Sequence, residues 1–212
     1  CFRRHFPYAE ENAGSGQWRN AVAHLASDTS ISEVLLSGGD PLSLSTGKLQ
    51  ALSDALRPLA HIRRLRIHTR LPVVLPDRID GEFLAWLEAL PWPCVMVIHA
   101  NHANELCDDV KAALARLQAS GAVLLNQSVL LAGVNDDAQV LVDLSERLFA
   151  CGVMPYYLHQ LDAVKGAGHF AVADSTAVTL HKSLMAALPG YLVPKLVREI
   201  AGEANKSPVY GP

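Results

Sequence analysis

Glu33-Val34-Leu35-Leu36-Ser37-Gly38-Gly39-Asp40-Pro41-Leu42 is a short apolar run that breaks into two glycines and an Asp-Pro. The first half reads as a buried strand, and the Gly-Gly-Asp-Pro reads as the turn that leaves it. Four further runs share this form: Leu65 to Thr69, Cys94 to His99, Ala122 to Gln127 and Met154 to His159. All are short and mostly apolar, as expected of a parallel sheet covered on both faces. These four end in polar residues, His68-Thr69-Arg70, His99, Asn126-Gln127-Ser128 and His159-Gln160.

Helical spacing fills the intervals. Leu49, Leu52, Leu56 and Leu59 form one apolar stripe, and Phe83, Leu84, Leu87 and Leu90 a second, ended by Pro91. Leu106, Val110, Ala113, Leu114 and Leu117 precede Gly121; Leu141, Leu144 and Leu148 follow Asp136-Asp137 and precede Gly152. Asp136 or Asp137 is expected to cap that helix, and Asp174 a last one carrying Val178, Leu184, Met185 and Leu188 before Pro189-Gly190. Strand-helix repeats of this length imply βα units with right-handed crossovers. Five strands fit an open doubly wound sheet or part of a (β/α) barrel; the expectation is an α/β fold, a TIM-barrel-like parallel partial barrel in one domain, 1–212. In either architecture functional residues gather at the C-terminal ends of strands.

Composition narrows the function classes. The 212 residues are 50% hydrophobic and 18% charged, with 18 Lys plus Arg against 21 Asp plus Glu, so a sizeable core is available and a broad basic surface is not. That argues against a nucleic-acid partner, and no apolar run is long enough to span a membrane. The chain opens on Cys1 without a signal-type segment, as a fragment of something longer would. Cys1, Cys94, Cys107 and Cys151 lack the density of a disulfide framework, which points to a reduced, cytoplasmic setting.

Each chemical candidate has a plain alternative. Gly38-Gly39-Asp40 allows a ligand to approach the backbone closely, but it is equally a tight βα turn with an Asp cap. Lys206, in Glu203-Ala204-Asn205-Lys206-Ser207-Pro208-Val209, is either a solvated surface charge or a desolvated amine able to bond a carbonyl cofactor. His99 and His102 have no matching second pair for a zinc site. Cys94 and Cys151 read as small buried hydrophobes, and Trp18, Trp86 and Trp92 as packing.

The motifs taken in order resemble the lysine 2,3-aminomutase family of radical-SAM enzymes. Cys1-Phe2-Arg3-Arg4-His5-Phe6 is similar to the stretch starting at the third cysteine of that family's C-x3-C-x2-C cluster motif. Leu35-Leu36-Ser37-Gly38-Gly39-Asp40 resembles its motif for the SAM amino group. Thr69-Arg70-Leu71-Pro72-Val73-Val74-Leu75-Pro76, Asn126-Gln127-Ser128-Val129-Leu130-Leu131, Gly133-Val134-Asn135-Asp136 and Pro155-Tyr156-Tyr157 match in order and spacing. Asn205-Lys206-Ser207-Pro208-Val209 resembles the pyridoxal-phosphate lysine segment. The resemblance spans essentially the whole chain and is nearest to the short bacterial branch that makes β-lysine for elongation factor P. Asp137 stands where the longer clostridial branch has a zinc cysteine, so no structural zinc is expected.

The resemblance implies an isomerase that moves the 2-amino group of L-lysine to carbon 3. Its cofactors are a [4Fe-4S] cluster, S-adenosyl-L-methionine and pyridoxal 5′-phosphate. Cys1 is implied as a cluster thiolate, and Ser37, Gly38, Gly39, Asp40, His99 and Gln127 as the S-adenosylmethionine site. Lys206 is implied as the pyridoxal-phosphate lysine, Arg3 as the clamp on the substrate carboxylate, and Asp162 and Glu199 as acids for its distal amine. Glu199 replaces the family's Asp, lengthening that acid by one methylene. Expected partners are an electron donor of the flavodoxin or ferredoxin type and a downstream ligase acting on elongation factor P. A chain with one cluster cysteine cannot hold the cluster alone and is expected to be inactive in isolation. The rival readings are the same chemistry on arginine or glutamate, the latter disfavoured by Asp162 and Glu199, or a cluster-less descendant that only binds.

Overall fold

The computed structural model describes residues 15–203 and 205–210. Seven strands form one sheet in the order of the sequence: β1 (Glu33–Leu36), β2 (Arg64–His68), β3 (Cys94–Ile98), β4 (Val123–Val129), β5 (Met154–His159), β6 (Lys195–Arg198) and β7 (Ser207–Pro208). The first six run parallel, and β7 returns antiparallel to β6. Because each strand pairs with its successor, the sheet winds in one direction. This excludes the doubly wound alternative and leaves a curled partial barrel.

Among the described residues seven α-helices accompany the sheet: α1 (Ser15–Ser27), α2 (Thr46–Leu56), α3 (Leu71–Val74), α4 (Gly81–Glu88), α5 (Asp108–Ala119), α6 (Ala138–Ala150) and α7 (Asp174–Ala187). The apolar stripes of α2, α4, α5, α6 and α7 pack on one face of the sheet, and α1 lies against α2. Leu49, Phe83, Leu87, Val110, Leu114 and Leu117 join Leu65, Ile67, Met96, Ile98 and Leu124 in one core. Leu141, Leu184 and Leu188 join Leu158 and Leu196 in a second. Trp86 packs against Phe83 at 5.3 Å, and its indole N–H donates to Ser53 Oγ at 3.2 Å. Cys94 and Cys151 are buried, and burial pushes the Cys94 thiol up to about 12. No helix of the described residues is long and apolar enough to cross a membrane.

Three expectations need correction. The sheet is not covered by apolar groups on both faces: along β2, Leu65 and Ile67 enter the core while Arg66 and His68 point to a cavity. A curled sheet covered by helices on its convex side leaves its concave face to line a hollow, so that face carries polar groups. Asp174 is the first residue of α7 and gives no side-chain cap; Ala173 holds the cap position, and the Asp174 carboxylate accepts from Gln160 Nε2 and pairs with Arg198. Asp137, by contrast, caps α6 by accepting from the Gln139 and Val140 amides. The five expected strands are joined by β6 and β7, which are four and two residues long and carry too little pattern to read.

Candidate active site

The concave face and the loops at the C-terminal strand ends enclose a cavity of about 610 Å³. Its wall includes Ser37, Gly39 and Asp40 after β1, Arg66, His68 and Arg70 around β2, His99 after β3, Gln127 on β4, His159 and Asp162 from β5 onward, and Glu199 and Lys206 around β7. A second hollow of about 480 Å³ adjoins it, sharing Gln160, Asp162 and Glu199.

The rim at β1 is a turn in which Gly38 and Gly39 both take positive φ, 89° and 59°, conformations a side chain would strain. A Cβ at Gly39 would meet nothing within 4 Å, so backbone faces open space there. Asp40 Oδ1 accepts from the Leu42 amide at 3.0 Å and from Thr69 Oγ1 at 2.6 Å, while Oδ2 accepts from the Arg70 amide at 2.7 Å. The carboxylate caps its own turn and ties the end of β1 to the end of β2. Gly-Gly-Asp is therefore a structural turn, and it borders the cavity.

Across the inner face, consecutive strands present His68, His99, Gln127 and His159. His99 and Gln127 contact each other, with Gln127 Nε2 at 3.1 Å from the His99 Nε2. His68 lies edge-on to His99 at 6.3 Å. Burial, then Arg66, His99, Lys206 and His159, lowers the His68 pKa to about 4. Burial, followed by Lys206, does the same for His159, also to about 4. Both rings are neutral at neutral pH.

Among the described residues, the buried side-chain polar atoms without a partner are Arg66 Nε, His68 Nε2, Gln127 Oε1, His159 Nε2 and Gln160 Oε1. All five belong to residues of this cavity wall. An unpaired buried polar atom costs about 1–3 kcal/mol, and such atoms are rare in folded proteins. Their concentration here leaves the cavity wall with donors and acceptors that a polar ligand or water would satisfy.

Opposite this row stand the acids and Lys206. Lys206 Nζ hydrogen-bonds the Glu199 carboxylate and lies 5.6 Å from the centre of the Tyr157 ring. Burial, then the nearby charge of Glu199, raises the Asp162 carboxyl pKa, and Lys206 works against both. The side chain of Lys206 is 26% exposed, so it is not the solvated surface charge that a polar tail suggests.

A set of residues to which sequence reading gave no role holds the rim in place. Asn126 accepts from the Ala100 amide at 2.8 Å and donates to the Ala100 carbonyl at 3.0 Å, fixing the end of β3 against β4. Asn135 donates to the Asn101 and Val129 carbonyls and accepts from the Leu131 amide. Glu105 accepts from the Asn101 and His102 amides and faces Arg70 at 3.4 Å. The signal was the polar ending of each strand, which marks both ligands and loop ties.

Of the expected site residues, Ser37, Gly39, Asp40, His99, Gln127, Asp162, Glu199 and Lys206 meet at this one cavity. Gly38 shapes its rim through positive φ. Cys1 and Arg3 lie outside the described residues. The groups present suit nucleotide and carbonyl cofactors: a glycine turn with open space beside it, unpartnered imidazole and amide atoms, and a half-buried lysine amine. Among the described residues no cluster of His, Cys, Asp or Glu could hold a metal ion.

No family model matches the chain. Over 207 residues, 98% of its length, it is 51% identical to an L-lysine 2,3-aminomutase of Haemophilus influenzae. Over 209 residues, 99% of its length, it is 47% identical to the L-lysine 2,3-aminomutase of Escherichia coli. It spans 61% of the length of each of these relatives. Among solved structures, a radical S-adenosylmethionine methyltransferase of Kitasatospora setae superposes with a TM-score of 0.46 at 13% identity, covering 67% of this chain and 30% of that one. The resemblance carried by the motifs thus extends over nearly the whole sequence.

Proposed function

We propose that this chain is the barrel portion of a lysine 2,3-aminomutase, which converts L-α-lysine to β-lysine. The observation that carries the reading is convergence: residues named from motifs dispersed between Ser37 and Lys206 border a single cavity. When bound in the complete protein, a [4Fe-4S] cluster with S-adenosyl-L-methionine supplies radical generation, and pyridoxal 5′-phosphate supplies stabilisation of the migrating amine.

The chain's own residues bind, orient and exclude water. The Gly38-Gly39 turn with Ser37 and Asp40 receives the amino end of S-adenosylmethionine, while His99 and Gln127 form the opposite wall. Lys206 holds the carbonyl cofactor through Nζ, within a cavity whose wall includes the buried His159 and Gln160. Asp162 and Glu199 receive the distal ammonium of lysine. Burying that ammonium unpaired would cost several kcal/mol, and two nearby carboxylates offset the cost. The same pair repels a side-chain carboxylate, which disfavours glutamate.

With this reading go four proposals that rest on the family resemblance. Cys1 is one cluster thiolate and Arg3 clamps the substrate carboxylate. The electron comes from a donor of the flavodoxin or ferredoxin type in the cytoplasm. The product serves a ligase that acts on elongation factor P.

The test is anaerobic turnover by the full-length protein loaded with iron, sulfide, S-adenosylmethionine, pyridoxal phosphate and a reductant. L-Lysine, L-arginine and L-glutamate are supplied separately, and products are separated by chromatography after derivatisation. β-Lysine alone is the expected product. Rearranged arginine in its place, or no product with cluster and cofactors confirmed present, overturns the reading.

A further inference from the structure

His159 is buried at the C-terminal end of β5, where the sheet fixes its backbone from both sides. Its carbonyl accepts from the Leu130 amide at 2.8 Å, and the next amide, of Gln160, donates to the Val197 carbonyl at 2.8 Å. The ring borders the cavity, yet its Nε2 is shut from solvent and meets no partner among the described residues. It stands edge-on to Tyr157 at 5.5 Å, and Lys206 Nζ lies 5.6 Å from the centre of that same ring. His159 and Lys206 therefore both lie near Tyr157 and line one hollow.

We propose that His159 is a cofactor-binding residue, whose Nε2–H donates a hydrogen bond to an anionic oxygen of the carbonyl cofactor that Lys206 carries. The inference rests on the role proposed for Lys206 and adds a residue to it. A cofactor joined at Nζ would start 5.6 Å from the centre of the Tyr157 ring, in the cavity that His159 also lines. The other two histidines are less suited: His99 is engaged with Gln127, and His68 lies beyond His99, next to Arg66.

The charged and titratable groups facing His159 are Lys206, Glu199, His99, His68 and Tyr157. A neutral imidazole has one N–H and one bare nitrogen, so it can donate without adding a positive charge beside Lys206. A neutral donor also keeps its charge state constant across the physiological range.

The measurement is binding of pyridoxal phosphate, and separately of pyridoxal, to the full-length protein without substrate. It is followed by the visible absorbance of the bound cofactor and by thermal unfolding. His159→Phe keeps a ring and removes both nitrogens, and about tenfold weaker binding is expected. Loss for both probes places the contact at the ring oxygen, and loss for pyridoxal phosphate alone places it at the phosphate; either result supports the proposal. Should the Phe variant not fold, His159→Gln decides, with a displaced pH midpoint of the visible band expected and an unchanged midpoint contrary. A Phe variant that binds both probes like wild type, with only its unfolding temperature lowered, assigns His159 a structural role and overturns the proposal. A wild type that binds no pyridoxal phosphate overturns both this inference and the proposed function, whereas equal binding by wild type and variant overturns the inference alone.

Discussion

Lys206 donates from Nζ to the carboxylate of Glu199, and the antiparallel return of β7 on β6 makes them neighbours. Val197 pairs with Pro208 and Arg198 with Ser207, so continuing the register sets Glu199 opposite Lys206. A primary ammonium on a four-carbon stem thus already occupies one of the acids assigned to the ammonium of lysine. Cofactor-free protein should therefore bind lysine weakly, and Lys206→Met should bind it more tightly. The pair is half-exposed, and such pairs contribute about 0.2–1 kcal/mol, so the gain should be at most about fivefold. Equilibrium dialysis with labelled lysine checks it; equal affinities would remove any competition between the two ammonium groups.

Attachment of the carbonyl cofactor is the most direct check on Lys206. Borohydride reduction of the loaded full-length protein, followed by peptide mapping, should place the label on Lys206. Label on Lys165, Lys182 or Lys195 would contradict the assignment. Lys206→Ala should lose the label and turnover while retaining S-adenosylmethionine binding, which is built from other loops.

Asp162→Asn should lower kcat/KM for lysine at least about tenfold, near 1.4 kcal/mol, and Glu199→Gln by a similar factor. The double variant should lose less than the sum, because both acids act on one charge. Initial rates of β-lysine formation, with cluster and cofactor content matched, provide the measurement. Near-wild-type rates in both single variants would sink the ammonium pocket.

Stability should fall as acid is added, beginning near pH 6.5. His68 and His159 have folded pKa values of about 4, below the ordinary 6.5 of an unfolded chain. Between those values the unfolded chain takes up protons that the folded one refuses. Their contribution is fully present above pH 6.5 and is lost as pH falls toward 4. After allowance for solvent screening, it is on the order of 2 kcal/mol for His159. Urea unfolding at pH 7.5 and pH 5 should show the decline, and His159→Gln should flatten it.

Asn126 is a structural tie and should behave as one. Asn126→Ala strips both partners from the buried Ala100 amide and carbonyl, at about 2–6 kcal/mol for the two. A drop of that size in unfolding free energy, with Lys206 still labelled by borohydride in the folded fraction, is the expected result.

Local pattern made much of this molecule readable. The apolar run ending in Gly38-Gly39-Asp40, the four runs like it and the helical stripes between them define βα units through side-chain periodicity, which needs no tertiary information. The same order of motifs carried the family resemblance and named Ser37, Asp40, His99, Gln127, Asp162, Glu199 and Lys206. Other properties came only with the tertiary structure. Pairing of each strand with its successor decided between a curled and a doubly wound sheet, because strand order is a long-range property. β6 and β7 are too short for a period, so the return that joins Lys206 to Glu199 was invisible in a tail that reads as polar loop. Curling also set the roles of the polar strand ends. It turned His68 and His159 toward one cavity and Asn126 toward Ala100, a division between ligand surface and scaffold that depends on which face of the sheet is concave.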